Sequence, residues 1–255
     1  DPVPEKNECL VRVKACSMNP ADWKYLAGHW KFVTGNKFPR QIGADFSGIV
    51  ESVGIEVSTF KSGDQVIGSV NPFKTGAAAE LVAVPESALW QKPDSLDFTE
   101  AAGIPIAGGT AYLALAMSKM DIRGKEVLIT GAGGGVGHLA VQLAAHLGAE
   151  VTAVCSAEKG EFVEALGAAE VVDYNTVDIG AAGKQYDQIL DCAAVYSYRT
   201  ARPLLKKGGE FILLVLKGKL WLFAVAFLSG IFARRKLRTF LASPSGNRNR
   251  ILSDL

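Results

Sequence analysis

The sequence predicts an α/β protein in which an antiparallel, β-rich domain is followed by a doubly wound parallel sheet. Three observations predict it. Residues 9–90 carry short runs of Val, Ile and Phe separated by Gly and Pro, the pattern of antiparallel strands. From Glu126 onward, apolar strands alternate with Ala- and Leu-rich helical stretches in the manner of repeated βαβ units. Between the first of these strands and its helix lies a run of glycines, where such a sheet places a phosphate-binding turn.

Each element follows from a local signal. Strands are expected at 9–15, 46–53, 65–70 and 80–84, where β-branched and aromatic residues recur between turn formers. Pro93 closes this series, because proline cannot donate to a ladder. Residues 107–117, rich in Ala, Leu and Gly, read as a helix leading into the second domain. The boundary is placed near Pro105, giving domains 1–105 and 106–255. The second domain opens with strand 127–130, helix 136–147 stopped by Gly148, and strand 151–155. A helix at 161–166, strands at 171–172, 188–191 and 211–215, a helical stretch at 198–207 and a sixth strand at 237–242 complete it.

Composition narrows the partners. With 255 residues, 49% of them hydrophobic, the chain can bury the core of one large domain or two ordinary ones. Lys and Arg number 27 against 26 Asp and Glu, a net charge of +1. Bulk electrostatics therefore offers nucleic acid no attraction, and small ligands are favoured. Cysteines at 9, 16, 155 and 192 are too scattered for a disulfide framework or a paired metal knuckle, which fits a reducing compartment. Asp1-Pro2-Val3-Pro4 has neither the basic start nor the apolar core of a signal peptide, so any targeting segment is expected to have been removed or to lie outside this sequence.

The segment Ile129-Thr-Gly-Ala-Gly-Gly-Gly-Val-Gly137 sits where a glycine-rich turn delivers a pyrophosphate to a helix N-terminus. Ala132 stands where the first glycine is usual, and Gly134 and Gly137 are in register. The alternative is a tight strand-to-helix turn without a ligand. An NAD site places an acidic residue at the end of the second strand, and here the residues are Cys155-Ser156. Ser156 can hydrogen-bond a 2′-phosphate, Lys159 can add charge, and Tyr174 can close the same pocket, so the trio favours NADPH. Singly, Lys159 reads equally as a solvated helix lysine, Tyr174 as a packing residue, and Glu158 argues mildly against the set.

Zinc would require Cys and His ligands in the first domain. Cys9 and Cys16 are seven residues apart on one strand and its exit, and His29 has no partner at ligand spacing. His138 and His146 read as structural residues of the first helix of the second domain, and Cys192 as a wall residue. No metal is expected.

Several motifs then occur in order: Ala15-Cys-Ser-Met-Asn19-Pro20-Ala-Asp22-Trp-Lys24, Gly43-Ala-Asp-Phe-Ser-Gly48, Val53-Gly54, Gly63-Asp64-Gln-Val66, Gly109-Thr-Ala-Tyr112 and the glycine run. Together they resemble the zinc-independent quinone oxidoreductase branch of the medium-chain dehydrogenase/reductase family, most of all its plant chloroplast-envelope homologues. The resemblance implies a GroES-like substrate domain, without its first strand and C-terminal return, followed by a Rossmann NADPH-binding domain. It implies Asn19, Thr110, Gly134, Gly135, Val136, Ser156, Lys159 and Tyr174 as cofactor contacts, with Asn19 near the nicotinamide. Lys24 is the candidate for stabilising an oxyanion on the acceptor, and the pair Asn19 and Lys24 is assigned to catalysis. Trp23 and Phe60 are candidates for an apolar acceptor wall, although for Phe60 core packing is the favoured reading.

The expected activity is hydride transfer from NADPH to a quinone or an α,β-unsaturated carbonyl. The alternative is a non-catalytic NADPH-binding protein, structural or membrane-associated. The resemblance further implies a chloroplast location, envelope or stroma, against a cytoplasmic default, and a homodimer formed through the strand at 237–242. Residues 220–233 carry no charge and have basic neighbours on both sides. They are too short to span a bilayer and read either as a buried helix or as a peripheral membrane contact.

Overall fold

The computed structural model describes residues 2–29, 31, 35, 41–71, 75–118, 120–181, 183–214, 225–227, 229 and 234–239. Its two compact units meet in sequence between Gly109 and Thr110.

The first unit contains strands β1 (Glu8–Ser17), β2 (Asp45–Val53), β3 (Gln65–Ser69), β4 (Leu81–Pro85) and β5 (Leu89–Gln91), with helix α1 (Pro20–Leu26) after β1 and helix α2 (Phe98–Ala102) after β5. The strands form one sheet in the order β4-β1-β2-β3-β5. β1 pairs antiparallel with both β2 and β4, and its register with β2 shifts at Leu10/Val11 and again at Val13/Ala15. Alternation decides which side chains face in. Cys9 and Val11 of β1 meet Phe46 and Val50 of β2, Val66 of β3, Val82 and Val84 of β4, and Leu89 in one core. Burying each of the larger of these contributes about 1.5–3 kcal/mol.

All four strands expected here are present, and β1 extends further, to Ser17. β5 carries no sequence signal because three residues cannot display an alternation; it exists because Leu89 and Trp90 are buried and the segment pairs with β3. α2 begins at a reciprocal cap, with Asp97 accepting from the Glu100 amide and Glu100 accepting from the Asp97 amide.

Helix α3 (Pro105–Met117) runs across the division between the units. The second unit holds β6 (Glu126–Thr130), α4 (Gly137–His146), β7 (Glu150–Cys155), α5 (Gly160–Ala165), β8 (Glu170–Asp173), β9 (Tyr186–Asp191), α6 (Tyr198–Ala201), β10 (Leu205–Leu213) and β11 (Lys236–Thr239). Its strands are parallel, in the order β11-β10-β9-β6-β7-β8. β6 is buried from Val127 to Thr130, as a central parallel strand covered on both faces must be.

The helical stretch expected at 198–207 is shorter. It ends in a single 3-10 turn at Leu204, and Leu205 already belongs to β10. Pro203 interrupts the helical hydrogen bonding, and the burial of Leu204 and Leu205 draws the chain into the sheet. Of the strand expected at 211–215, residues 211–213 are strand and Val215 lies outside the described residues. The sixth strand is present at Lys236–Thr239, and residues 240–242 lie outside the description. Most of the uncharged stretch 220–233 lies outside it too. Within that stretch Val225 and Ala226 pack against the core of the second unit, while Phe227 is 70% exposed. Among the described residues no helix is long and apolar enough to cross a membrane.

The closest backbone approach in this unit is at Gly137. A Cβ there would lie 2.1 Å from the Gly131 carbonyl oxygen and 2.8 Å from the Ala132 Cα. Both are backbone atoms of the strand-to-helix turn, so relief requires the helix to retreat from the sheet. Gly137→Ala is expected to destabilise the protein by about 2 kcal/mol, whereas Gly135→Ala, whose Cβ would meet nothing within 4 Å, should change stability by less than about 0.5 kcal/mol. Denaturant melts of the two variants against the parent check this.

Candidate functional site

The second unit builds a crevice by topology. From β6 the chain proceeds outward to β7 and β8, then returns to β9 on the opposite side of β6. The strand order therefore reverses between β6 and β9, the place where open parallel sheets bind ligands at their carboxyl ends. The two strand ends are tied there by the Thr130 hydroxyl, which donates to Asp191 at 2.6 Å. Asp191 also accepts from the amides of Val195 (3.2 Å) and Tyr196 (2.9 Å). These bonds hold the turn after β9 with Ala194 at a φ of 54°.

The glycine turn lies at this reversal. Gly131 has a φ of 63°, and the buried Ala132 donates back to Val154 at 3.0 Å, so an alanine fits where the fingerprint usually has glycine. α4 starts without a side-chain cap, Val136 occupying the cap position. The amides of Gly135, Val136 and Gly137 donate to no group among the described residues. Gly134 and Gly135 are exposed, and the space a Gly135 side chain would fill is empty. Free amides, an uncapped helix of ten residues and an open backbone surface together suit an anion.

Ser156 follows β7 directly, and Tyr174 follows β8, its amide bonded to the Cys155 carbonyl at 3.2 Å. The Lys159 stem lies beside Gly133, within 2.9 Å of where a Cβ on that glycine would sit. Ser156, Lys159 and Tyr174 are thus gathered at the ends of β7 and β8 beside the glycine turn, and Tyr174 is 60% exposed. Asp173, the carboxylate opposite Cys155 in the ladder, is engaged by the Asn175 amide (3.0 Å) and its side chain (2.9 Å). Thr110 lies on α3, partly exposed.

In the first unit, two motifs 21 residues apart prove to be one hydrogen-bonded assembly. Asp22, fully buried in α1, accepts from the Asn19 amide at 2.7 Å and from the Gly43 amide at 3.0 Å. Position 43 must be glycine twice over, because its φ is 82° and a Cβ would come within 2.4 Å of the Cys16 sulfur. Asp45, also fully buried, accepts through Oδ2 from the Asn19 side-chain nitrogen (3.0 Å) and the Ile106 amide (3.1 Å), while its Oδ1 has no partner. Burial pushes the Asp45 carboxyl up to about 7 against the pull of the Asn19 and Ile106 hydrogen bonds, with the nearby Asp22 charge raising it further.

Lys24 lies in the last turn of α1 with its ammonium 5.6 Å from the centre of the Trp23 ring. Trp23 is 54% exposed and stands edge-on to His29. It is available as a wall. Phe60 is buried in the β-sheet core instead, which takes it out of any acceptor wall. Burial raises the thiols of Cys16, to about 11, and of Cys155 and Cys192, so none is a ready thiolate at neutral pH. Among the described residues no three His, Cys, Asp or Glu side chains are gathered to hold a metal ion.

Comparisons with known proteins agree on the family. Residues 5–94 match the alcohol dehydrogenase GroES-like domain, and residues 135–239 match the family model described as zinc-binding dehydrogenase. The chain is 40% identical over 221 residues to the chloroplast envelope quinone oxidoreductase homolog of Arabidopsis thaliana, covering 83% of this chain and 67% of that one. It is 36% identical over 222 residues to the chloroplastic NADPH-dependent alkenal/one oxidoreductase of the same plant, covering 83% of this chain and 56% of that one. Among solved structures, the quinone oxidoreductase of Coxiella burnetii superimposes with a TM-score of 0.87 at 31% identity, covering 100% of this chain and 80% of that one. The chain belongs to the quinone oxidoreductase branch of the medium-chain dehydrogenase/reductase family. The zinc in the second family description finds no matching donor set among the described residues.

Sequence reasoning gave no role to Asp45, Asp22, Thr130 or Asp191. The available signal was a carboxylate inside an apolar run, as in Ala44-Asp45-Phe46 and Ile189-Leu190-Asp191, because an acid so placed is buried and must find donors. Asp22→Ala, which strands the buried Gly43 amide and the partly buried Asn19 amide, is expected to cost about 2–3 kcal/mol in a urea melt, and Asp22→Asn less.

Proposed function

We propose that this protein is an NADPH-dependent, zinc-independent oxidoreductase that delivers a hydride to a quinone or an α,β-unsaturated carbonyl. The observation that carries the reading is the uncapped start of α4, three free amides beneath an exposed glycine turn at the sheet's reversal point. That is a pyrophosphate site, and the names of the relatives supply the redox chemistry. The nicotinamide, when bound, supplies the hydride. The chain's own part is to hold the dinucleotide and to stabilise charge that develops on the acceptor oxygen.

Gly134, Gly135 and Val136 take the phosphates. Ser156, Lys159 and Tyr174 take the 2′-phosphate, a reading supported by Cys155 and Ser156, rather than an acid, at the end of β7 and by the Lys159 stem beside Gly133, with Glu158 in the same turn the one residue against it. Thr110 and Asn19 are further cofactor contacts, Asn19 toward the nicotinamide. Lys24 stabilises the oxyanion, and Trp23, its neighbour, offers an apolar surface to a conjugated acceptor. A chloroplast location rests on the names of the plant relatives.

NADPH is expected to bind at least about tenfold more tightly than NADH, a difference of about 1.4 kcal/mol that one charge-assisted contact can supply. Lys159→Ala should remove most of that preference and leave NADH binding unchanged. Titration of dihydronicotinamide fluorescence measures both, and equal dissociation constants for the two nucleotides would defeat the assignment. NADPH oxidation with quinones and with 2-alkenals as acceptors tests the reaction itself. That activity should persist after exhaustive chelation, and activity lost to a chelator and restored by zinc would overturn the metal-free reading.

A further inference from the structure

Asp45 stands at the first position of β2, fully buried, beneath Asn19 and the start of α3. Its two oxygens are treated differently. Oδ2 accepts from Asn19 and from Ile106, while Oδ1 is buried and has no partner. A buried carboxylate with one oxygen uncompensated is costly, and a protein retains one only where other interactions hold it.

We propose that Asp45 is a positioning residue that fixes which way the Asn19 amide faces, so that Asn19 presents its carbonyl oxygen to an N–H donor of the ligand, and that this hold weakens when Asp45 takes up a proton. The donor is the carboxamide of the nicotinamide ring, so this part rests on the function proposed above.

The orientation follows from the donor inventory. An ionised carboxylate only accepts, and the Asn amide has two donors on nitrogen and acceptor capacity on oxygen. Turning the amide around would set its oxygen against the Asp45 carboxylate, so the NH2 group must face inward and Oδ1 outward. Oδ1 of Asn19 stands at the capping position over the Asp22 amide, but that amide makes its hydrogen bond to the Asn19 main-chain carbonyl at 2.9 Å, so acceptor capacity remains on Oδ1. One acceptor is therefore left, aimed away from the buried acid.

The same geometry makes the hold sensitive to pH. A proton arriving on Oδ1 displaces neither of the bonds to Asn19 and Ile106, which are made by Oδ2; Oδ1 itself has no partner in hydrogen-bond geometry among the described residues, with the Ser17 hydroxyl its nearby neighbour. The groups facing the acid are the Asp22 carboxylate from α1 and, from β1, the Cys16 thiol and the Ser17 hydroxyl, whose hydrogen bonding favours the ionised form; among the described residues no cation faces it. Burial accordingly lifts its proton affinity into the neutral range, to about 7. Above that pH the bond to Asn19 is charge-assisted and about twice as strong as its neutral counterpart. Folding stability runs the other way. The native state binds a proton that the unfolded chain, with the acid at 3.8, does not, so stability falls as pH rises from about 4 to about 7 and then levels off.

The test has a readout in the unliganded protein and one with ligand. The side-chain amide of Asn19, followed by nitrogen-15 NMR and assigned by its loss in Asn19→Ala, should titrate with a midpoint near neutrality and become flat in Asp45→Asn. A flat signal in the parent protein overturns the hold. Dissociation constants are then measured for NADPH and for 2′-phospho-ADP-ribose, which lacks the nicotinamide. Above neutrality Asp45→Asn should weaken NADPH about fivefold and leave the fragment unchanged. Equal NADPH affinity in variant and parent overturns the positioning role. Should the variant not fold, the parent alone decides: its preference for NADPH over the fragment should grow as pH rises through about 7, and a constant ratio overturns the proposal. A parent that shows the Asn19 titration yet binds neither nucleotide retains the hold and overturns both the nicotinamide assignment and the function proposed above.

Discussion

Helix α4 lies against strand β6 only because position 137 has no side chain. The turn between them brings the first residue of the helix to the carbonyl of Gly131, with no room for a Cβ. The arrangement of the second unit around this point depends on that contact. It lets the helix start directly above the end of a buried central strand, with no residue spared for a cap. Among the described residues the first amides of the helix are consequently left without partners and faced by an open backbone surface. A missing methyl group is thus what leaves those amides open, the feature on which the proposed phosphate site rests.

The first unit uses burial differently. Its two buried carboxylates are matched unequally to their donors. Asp22 uses both oxygens, one on the Asn19 amide and one on the Gly43 amide, and so binds α1 to the entry of β2. Asp45 uses one oxygen and, among the described residues, leaves the other without a hydrogen bond. The first is a structural solution with nothing left over. The second carries a local cost beside the residue assigned to the nicotinamide, and local rules are broken in this way where a protein needs one side chain held in a particular orientation.

Most of the fold was legible because burial writes itself into sequence as periodicity. Cys9 and Val11, or Val82 and Val84, alternate because one face of their sheet is covered, and Val127 to Thr130 does not alternate because both faces are. The glycine turn was legible as well, since its backbone demands a residue type that sequence shows directly. Elements too short to have a period were not. β5 is three residues long, and the end of the helical stretch after Tyr198 was decided by Pro203 and by the pull of Leu204 and Leu205 into the core.

By itself the sequence determined the two-part architecture, the family and the glycine turn between β6 and α4, because each of these depends on residue type at a spacing along the chain. Tertiary structure alone decided that Phe60 is core, that Asn19 faces a buried acid, that Asp22 reaches Gly43, and that Thr130 joins Asp191 across neighbouring strands. Those are pairings between residues 21 to 61 positions apart. A hydrogen bond has a range of about 3 Å in space and leaves no trace in sequence order, so which donor satisfies a buried carboxylate is settled only when the chain has closed around it.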